Sequence, residues 1–586
     1  MFSPYETFEI RSLTAFKEIE DKFDDIRTER TIRFLISEDS SISQKIERFI
    51  EKTPEYPILC GFWYQDQSIW SSSEAFRKTI RERFFKRDLF NYHSPLEGDV
   101  YFFGRTNLVK YLLDRHLSCE NSGIFGLRKT GKTSLLNAVG RAAKIAKQPY
   151  LQLDCQATHV HLKKWNELIQ YIIVESYKLV GLKKNKNLDF SPSEIGNSLR
   201  TALLEISGKS NQALLISFDE IENISFGTSP TTHWRVETDS LLFWQTLRSV
   251  FQSNKKLFSF VIVGINPKII ETISMANFDN PLFQFVAPTY ISGLDHDQSQ
   301  EMLNKLGSFM GLGFKLYAIV AICDQFGGNP YLIRQVGSQV HNITLQHDRP
   351  LSVDKSLSMR GVTAIESNSV VYASGMLDVL EQFYKDEYEL LCWLAAGKKI
   401  EFAEYIKKQP TAVEHLIGYG IIQKQGDNFD FRVEIFRKAL EPRLENRDDL
   451  ISEKSMFQKV QSERTEIERK LRYLFANIAK SKFGKNAALQ EVKKIFRQNR
   501  IQVIEKYSYE QIFSIDNSKL YLADFFEIIP FFADEFSNIT GLSRQELIKN
   551  INTVNKLRRD AHSNAISSIE FREFRIAVDI LKRGME

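Results

Sequence analysis

The stretch GIFGLRKTGKTSLLNAVG, residues 123 to 140, constrains this chain more tightly than any other part of it. Gly126, Gly131, Lys132 and Thr133 fit the spacing GxxxxGK[ST], with an apolar run before them and a helix-forming run after. A strand that turns through glycines into a helix gathers backbone N–H groups and a helix N-terminus around a phosphate. Lys132 is then expected to reach the terminal phosphates and the Thr133 hydroxyl to hold Mg²⁺. The loop predicts binding of ATP and Mg²⁺ through Gly126, Lys129, Thr130, Gly131, Lys132, Thr133 and Ser134. A chance match on a surface turn would not carry these flanks.

Such a site needs a second strand that ends in a carboxylate. ALLISFDEIE supplies one, running into Asp219 with Glu220 beside it. Asp219 is expected to serve the metal together with Thr133, and Glu220 to orient or deprotonate the attacking water. PYLQLDC, residues 149 to 155, is a further strand candidate between loop and carboxylate. That spacing predicts the ATPase group with an extra strand between the two motifs and a glutamate after the aspartate (ASCE). FSFVIVGINP ends in Asn266, placed to sense the γ-phosphate or, equally, to cap an ordinary strand end.

Taken together, FFGRTNLVKYLLDRHL, GLRKTGKTSLL, LLISFDEIE and GGNPYLIRQVG resemble the signal-transduction NTPases called STAND, near relatives of AAA+ and origin-recognition ATPases. The resemblance spans roughly residues 100 to 445. It implies that Gly104 and Arg105 lie near base and ribose, and that Pro330 sits in a helical lid close to the nucleotide. Thr106 and Asn107 stand where that family often has acidic residues. An arginine from a neighbouring subunit, and so a homo-oligomer, would fit such a family; sequence does not choose between Arg235, Arg248 and others.

Apolar residues at three-and-four spacing predict lid helices over 295 to 345, and the serine-rich run DRPLSVDKSLSMRGVTAIESNS reads as a linker or loop. From Tyr388 onward, helical stretches followed by a hairpin turning at Gly426-Asp427-Asn428 resemble a winged helix. Its recognition-helix candidate, TAVEHLIGY, has no Lys or Arg for phosphates or guanine edges, so an arm relaying nucleotide state is favoured over a DNA reader.

Residues 454 to 506 carry fourteen Lys/Arg against five Asp/Glu, with Phe457, Val460, Ile467, Leu471, Leu474, Phe475 and Ile478 as an inward stripe. A solvated face and a polyanionic partner, RNA or another nucleic acid, both fit that excess. Further on, Asn555, Arg558 and His562 share one helix face. An imidazole beside a guanidinium suits metal-free RNA cleavage, moving a hydroxyl proton while charge on phosphate is stabilised. The segment resembles the Arg-and-His motif of HEPN domains, helical bundles that include dimeric ribonucleases and inactive binding versions. Three residues separate Arg558 from His562, where that motif usually has four to six. A histidine packed at a helix end is the other reading.

At 586 residues the chain needs several domains. The expected architecture is multidomain α/β plus α. A small α/β module of unassigned role (1–95), open to a trigger protein, precedes a P-loop NTPase core with an ASCE-type parallel sheet (96–290). A helical lid (291–350), a winged-helix-like module (375–445) and a HEPN-like C-terminal helical bundle (450–586) complete it. A net charge of +4 selects no partner, the five scattered cysteines predict reduced thiols, and no apolar run approaches the ~20 residues of a membrane helix. A cytoplasmic protein is expected. The functional expectation is an ATP-hydrolysing switch coupled to an RNA-directed effector in bacterial antiviral defence. Alternatives are a nucleotide-gated DNA-binding or scaffold ATPase without nuclease activity, and a chaperone-like or replication-loader ATPase.

Overall fold

The computed structural model describes residues 1–22, 32–53, 55–183, 185–254, 256–275, 277–408, 410–426, 428–444, 453–496, 502, 504–516, 521, 524–525, 528–560 and 568–585. They form two compact units, 1–390 with 405–439 and 391–404 with 440–586.

The first unit opens with a parallel sheet of β1 (Phe2–Ser3), β2 (Ile32–Ser37) and β3 (Ile58–Trp63), accompanied by helices Ile42–Lys52 and Ser73–Phe85. The main sheet follows. Its strands are β4 (Ser122–Phe125), β5 (Tyr150–Asp154), β6 (Leu214–Asp219) and β7 (Phe258–Gly264). After a small hairpin, β8 (Ser274–Met275) and β9 (Phe278–Asp279), comes β10 (Ala287–Tyr290). Five strands pair in parallel in the order β10-β4-β7-β6-β5. The strand between loop and carboxylate in sequence, β5, therefore lies at an edge, and β7 is the one that separates β4 from β6 in space. Strands β6 and β7 are buried at every position, which is why they read as unbroken apolar runs. Phe218 lies with ring centroids 5.8, 5.4 and 6.2 Å from Phe243, Trp244 and Phe260. Burial of such a side chain contributes about 1.5–3 kcal/mol and fixes the residue just before Asp219.

Helices His296–Phe309, Leu316–Phe326 and Pro330–Ile343 come next, with a parallel pair β11 (Leu312–Phe314) and β12 (Leu351–Val353). Here the glycines of GGNP have a steric cause. Leu294 N–H donates to Gly328 O at 2.7 Å, and a Cβ on Gly328 would stand 1.9 Å from Leu294 O. Asn329 then caps the next helix, its side chain accepting from Tyr331 N and Leu332 N at 3.0 and 3.1 Å, with Pro330 in the first turn.

The serine-rich run expected to be a linker is instead β12 followed by helices Lys355–Ala364 and Glu366–Phe383. Asp354 caps the first of these, and Ser358, buried, donates to Asp354 O at 2.8 Å. A Cβ on Gly361 would stand 2.9 Å from Val340, so small residues are the packing face there and hide the apolar period.

After helices Lys385–Ala395 and Lys399–Lys408 come Pro410–Gly418, an antiparallel β13 (Ile422–Gln425) and β14 (Asn428–Phe431), and helix Glu434–Leu444. Of the predicted turn, Gly426 has φ +62°, Asn428 already belongs to β14, and Asp427 lies outside the described residues. Helix Pro410–Gly418 buries Ala412, Val413, His415 and Leu416, and its His415 ring lies 6.3 Å from Tyr290 of β10.

The second unit is helical, with Glu453–Phe483, Ala488–Ile495, Tyr509–Phe513, Ile529–Thr540, Arg544–Asp560 and Ser568–Gly584. Its core contains Val460, Ile467, Leu471, Phe475 and Ile478 of the predicted stripe, with Leu474 partly buried. Met456 is in that core, and Phe457 is half-buried.

Candidate nucleotide site

Strand β4 delivers the chain to Gly126, whose N–H donates to Gly264 O at 3.1 Å. A Cβ there would stand 2.5 Å from Ile291 O, so only glycine fits. The backbone then takes left-handed values at Lys129 (φ +62°) and Gly131 (φ +94°), and helix Lys132–Ile145 starts. Lys132 is buried and its Nζ donates to Gly126 O and Leu127 O, both at 3.0 Å. Thr130 Oγ1 donates to Leu127 O at 2.8 Å, which braces the loop from behind.

Other parts of the chain hold the loop from outside. Lys129 Nζ donates to His93 O at 2.7 Å and lies 5.6 Å from the Tyr331 ring. Ser134 Oγ accepts from Leu96 N at 2.9 Å. Tyr372 Oη donates to Arg128 O at 2.9 Å.

At the end of β6, Asp219 Oδ2 accepts from Thr133 Oγ1 at 2.7 Å and Oδ1 from Glu220 N at 3.0 Å. Burial raises the Asp219 pKa, with the Thr133 bond pulling it down and the Glu220 charge pushing it up. Glu220 has φ +50°, a turn that carries it off the strand line. A cleft of about 500 Å³ opens over this ground. Lys129, Gly131, Lys132, Thr133 and Ser134 line it together with Asp219, Glu220 and Pro330. A hydroxyl and carboxylates beside a phosphate-shaped loop are the hard oxygen donors that suit Mg²⁺, an ion bound largely through phosphate and water. The donor set fits Mg²⁺ with a nucleotide.

Gly104, Arg105 and Asn266 do not line this cleft. The Arg105 guanidinium donates to Ser292 O, and burial lowers its pKa to about 10. Asn266 Nδ2 donates to Glu387 Oε1 at 2.7 Å, and its Oδ1 accepts from Lys268 N at 2.9 Å. Its amide is thereby committed away from the phosphates. The same Glu387 oxygen lies 2.6 Å from His415 Nδ1, and His415 Nε2 lies 2.8 Å from Glu271 Oε2. Burial alone would lower the His415 pKa; the two carboxylates override it and raise it to about 9. Arg558 falls within helix Arg544–Asp560, its side chain undescribed, and His562 lies outside the described residues.

The cleft also has residues that the sequence does not single out. Asp154, at the end of β5, is in register with Asp219, and Gln152 and Gln156 accompany it. A signal existed for Asp154, since PYLQLD ends in a carboxylate as ALLISFD does. Arg128, in the loop itself, also lines the cleft, as do Tyr92, His93, Tyr331 and Arg334, which come from chain segments that no local pattern announces.

Glu222, two residues past Glu220, is half-buried, and its carboxylate accepts from Ile265 N. Burial, with the Glu220 charge, raises its pKa from 4.5 to about 7. The folded protein thus holds this proton more tightly than the unfolded chain, so its contribution to stability is present below pH 4.5 and is lost as pH rises through about 7. Glu222→Gln is expected to flatten that part of the stability profile, read from urea midpoints across the range.

A phosphate loop after β4, a carboxylate at the end of β6 and β7 between them define a P-loop ATPase-like fold. Among solved structures the chain is similar to the Walker-type ATPase of Pyrococcus abyssi, at 15% identity over 60% of this chain and 99% of that one, TM-score 0.41. It is similar to the Aeropyrum pernix ORC1 protein in complex with DNA, at 13% identity over 62% and 96%, TM-score 0.29. A third is the Thermotoga maritima RuvB Holliday junction branch migration motor, at 12% identity over 57% and 95%, TM-score 0.31. No family model and no curated protein matches the chain. Among the described residues no helix is long and apolar enough to cross a membrane.

Proposed function

We propose that this chain is an ATP-hydrolysing switch that couples nucleotide state to a C-terminal, RNA-directed effector. The observation that carries the ATPase part is the Thr133–Asp219–Glu220 cluster beside the Lys129–Ser134 loop in one cleft. In this reading Lys132 exchanges its two carbonyl partners for phosphate oxygens, and Thr133 with Asp219 holds Mg²⁺. Mg²⁺ when bound neutralises charge on the phosphate oxygens. Glu220 orients a water and accepts its proton.

The effector part rests on the basic character of residues 454 to 506 and on the Arg558/His562 motif, whose HEPN-like resemblance also supports a role in bacterial antiviral defence. A homo-oligomer, and a trigger protein acting at residues 1–95, belong to the same reading. The DNA-reading alternative is disfavoured by helix Pro410–Gly418, which turns Ala412, Val413, His415 and Leu416 inward.

Lys132→Ala removes the cation but leaves the loop glycines. It is expected to weaken ATP binding by about tenfold to a hundredfold, the scale of one charge-assisted hydrogen bond, in equilibrium titration. Unchanged affinity would remove Lys132 from the site. For the effector, total RNA is incubated with the chain, ATP and Mg²⁺ beside His562→Ala; cleavage lost in the variant supports a ribonuclease, and intact RNA throughout leaves a binding effector.

A further inference from the structure

The second unit carries a concave patch of about 380 Å³ between helix Glu453–Phe483 and the segment Tyr509 to Ile515. Arg469, Tyr473, Asn477 and Lys480 recur every three or four residues, so they form one stripe of that helix and one wall of the patch. The stripe from Arg469 to Lys480 runs about 16 Å at helical rise, long enough to follow more than one phosphate of an extended strand.

Pairing separates this stripe from the cations beside it on the same helix. Lys470 faces Glu466 at 3.8 Å, Arg472 binds Glu468 at 2.7 Å, and Lys482 binds Glu535 at 2.8 Å. Arg469 and Lys480 have no carboxylate partner among the described residues, and the Asn477 side chain has no hydrogen-bond partner among them. Tyr473, between the two cations, is 72% exposed.

The floor is rigid where the rim is free. Arg472 is buried, lies 4.5 Å from the Phe525 ring, and donates to Ser514 O at 3.1 Å, pinning the opposite wall. Tyr509 Oη donates to Ala476 O at 2.5 Å, and Lys480 Nζ stands 4.7 Å from the Tyr509 ring, which keeps its charge over the patch. Glu510 at the edge can only accept when ionised. A bare polyphosphate offers it no donor, whereas an amino group of a base or a ribose hydroxyl does. An exposed aromatic between cations that no carboxylate neutralises is a stacking platform for an unpaired base, flanked by phosphate contacts.

We infer that this patch binds single-stranded RNA, with a base stacked on Tyr473 and phosphates on Arg469 and Lys480. The inference rests on the RNA-directed reading of the C-terminal unit and names where the strand lies. It is independent of Arg558 and His562.

The test titrates the full chain into a short labelled single-stranded RNA, the same sequence as single-stranded DNA, and its RNA duplex, over a range of salt. Tyr473→Ala is expected to weaken single-strand binding about tenfold or more, the scale of one base–aromatic stack. Arg469→Ala and Lys480→Ala are each expected to reduce the slope of log K against log salt by about 0.7, with Lys470→Ala unchanged as the folded control. Parent binding that all three patch variants retain overturns this site and leaves the RNA reading standing. No RNA binding by the parent overturns both. Tighter binding of duplex, or equal binding of DNA, overturns the assignment to single-stranded RNA.

Discussion

Glu220→Gln is expected to bind ATP with parental affinity and to hydrolyse it about a hundred to ten thousand times more slowly, the range that general-base catalysis supplies. The cause is local. Glu220 leaves β6 with φ +50° while its N–H is held by Asp219 Oδ1 at 3.0 Å, so the side chain enters the cleft from a fixed stem. Glutamine keeps size and shape but cannot accept the proton. Single-turnover measurements with excess enzyme separate binding from chemistry. A variant that turned over at the parental rate would sink the assignment, and Asp154, in register with Asp219, would become the residue to change next.

His415→Ala is expected to lower the stability of the first unit by about 3–5 kcal/mol, because removing one partner of a buried ion pair strands the other. Glu387, buried, would keep, among the described residues, only the Asn266 amide at 2.7 Å on its carboxylate. His415 has its pKa raised from 6.5 to about 9, so its stabilisation is fully present below pH 6.5 and is lost as pH rises through about 9. The gap between parent and variant, read from urea midpoints, should therefore narrow with rising pH. A second change, Glu387→Gln, should return part of the loss. A gap that is constant with pH would mean that His415 acts by packing alone.

The P-loop core was legible because its chemistry and its secondary structure coincide: the loop glycines and Asp219 follow or end a strand, and Thr133 lies in the opening turn of the helix after the loop. Gly126 and Gly131 announce the turn, and ALLISFD announces a buried parallel strand. Asn266 carries two readings in sequence, a phosphate sensor or a strand-end cap; its Oδ1 caps the next turn at Lys268 N, and its amide partner, Glu387, lies on a helix far along the chain where no local pattern points to it. The serine-rich run after residue 350 hid two helices, since small polar residues at close crossings carry no apolar period. Lysine and arginine counts in 454 to 506 gave the sign of the charge but not its sorting into paired and free faces, which depends on Glu466, Glu468 and Glu535.

The chain of contacts from Asn266 through Glu387 and His415 to Glu271 also has a meaning for descent. Its members are separated by 121 and 144 positions across the pairs Asn266–Glu387 and Glu271–His415, yet each answers to the next. A change of His415 to an apolar residue leaves a lineage with a stranded carboxylate until position 387 also becomes neutral. Among chains of common ancestry these four columns are expected to drift together, as an inherited set rather than as four independent letters.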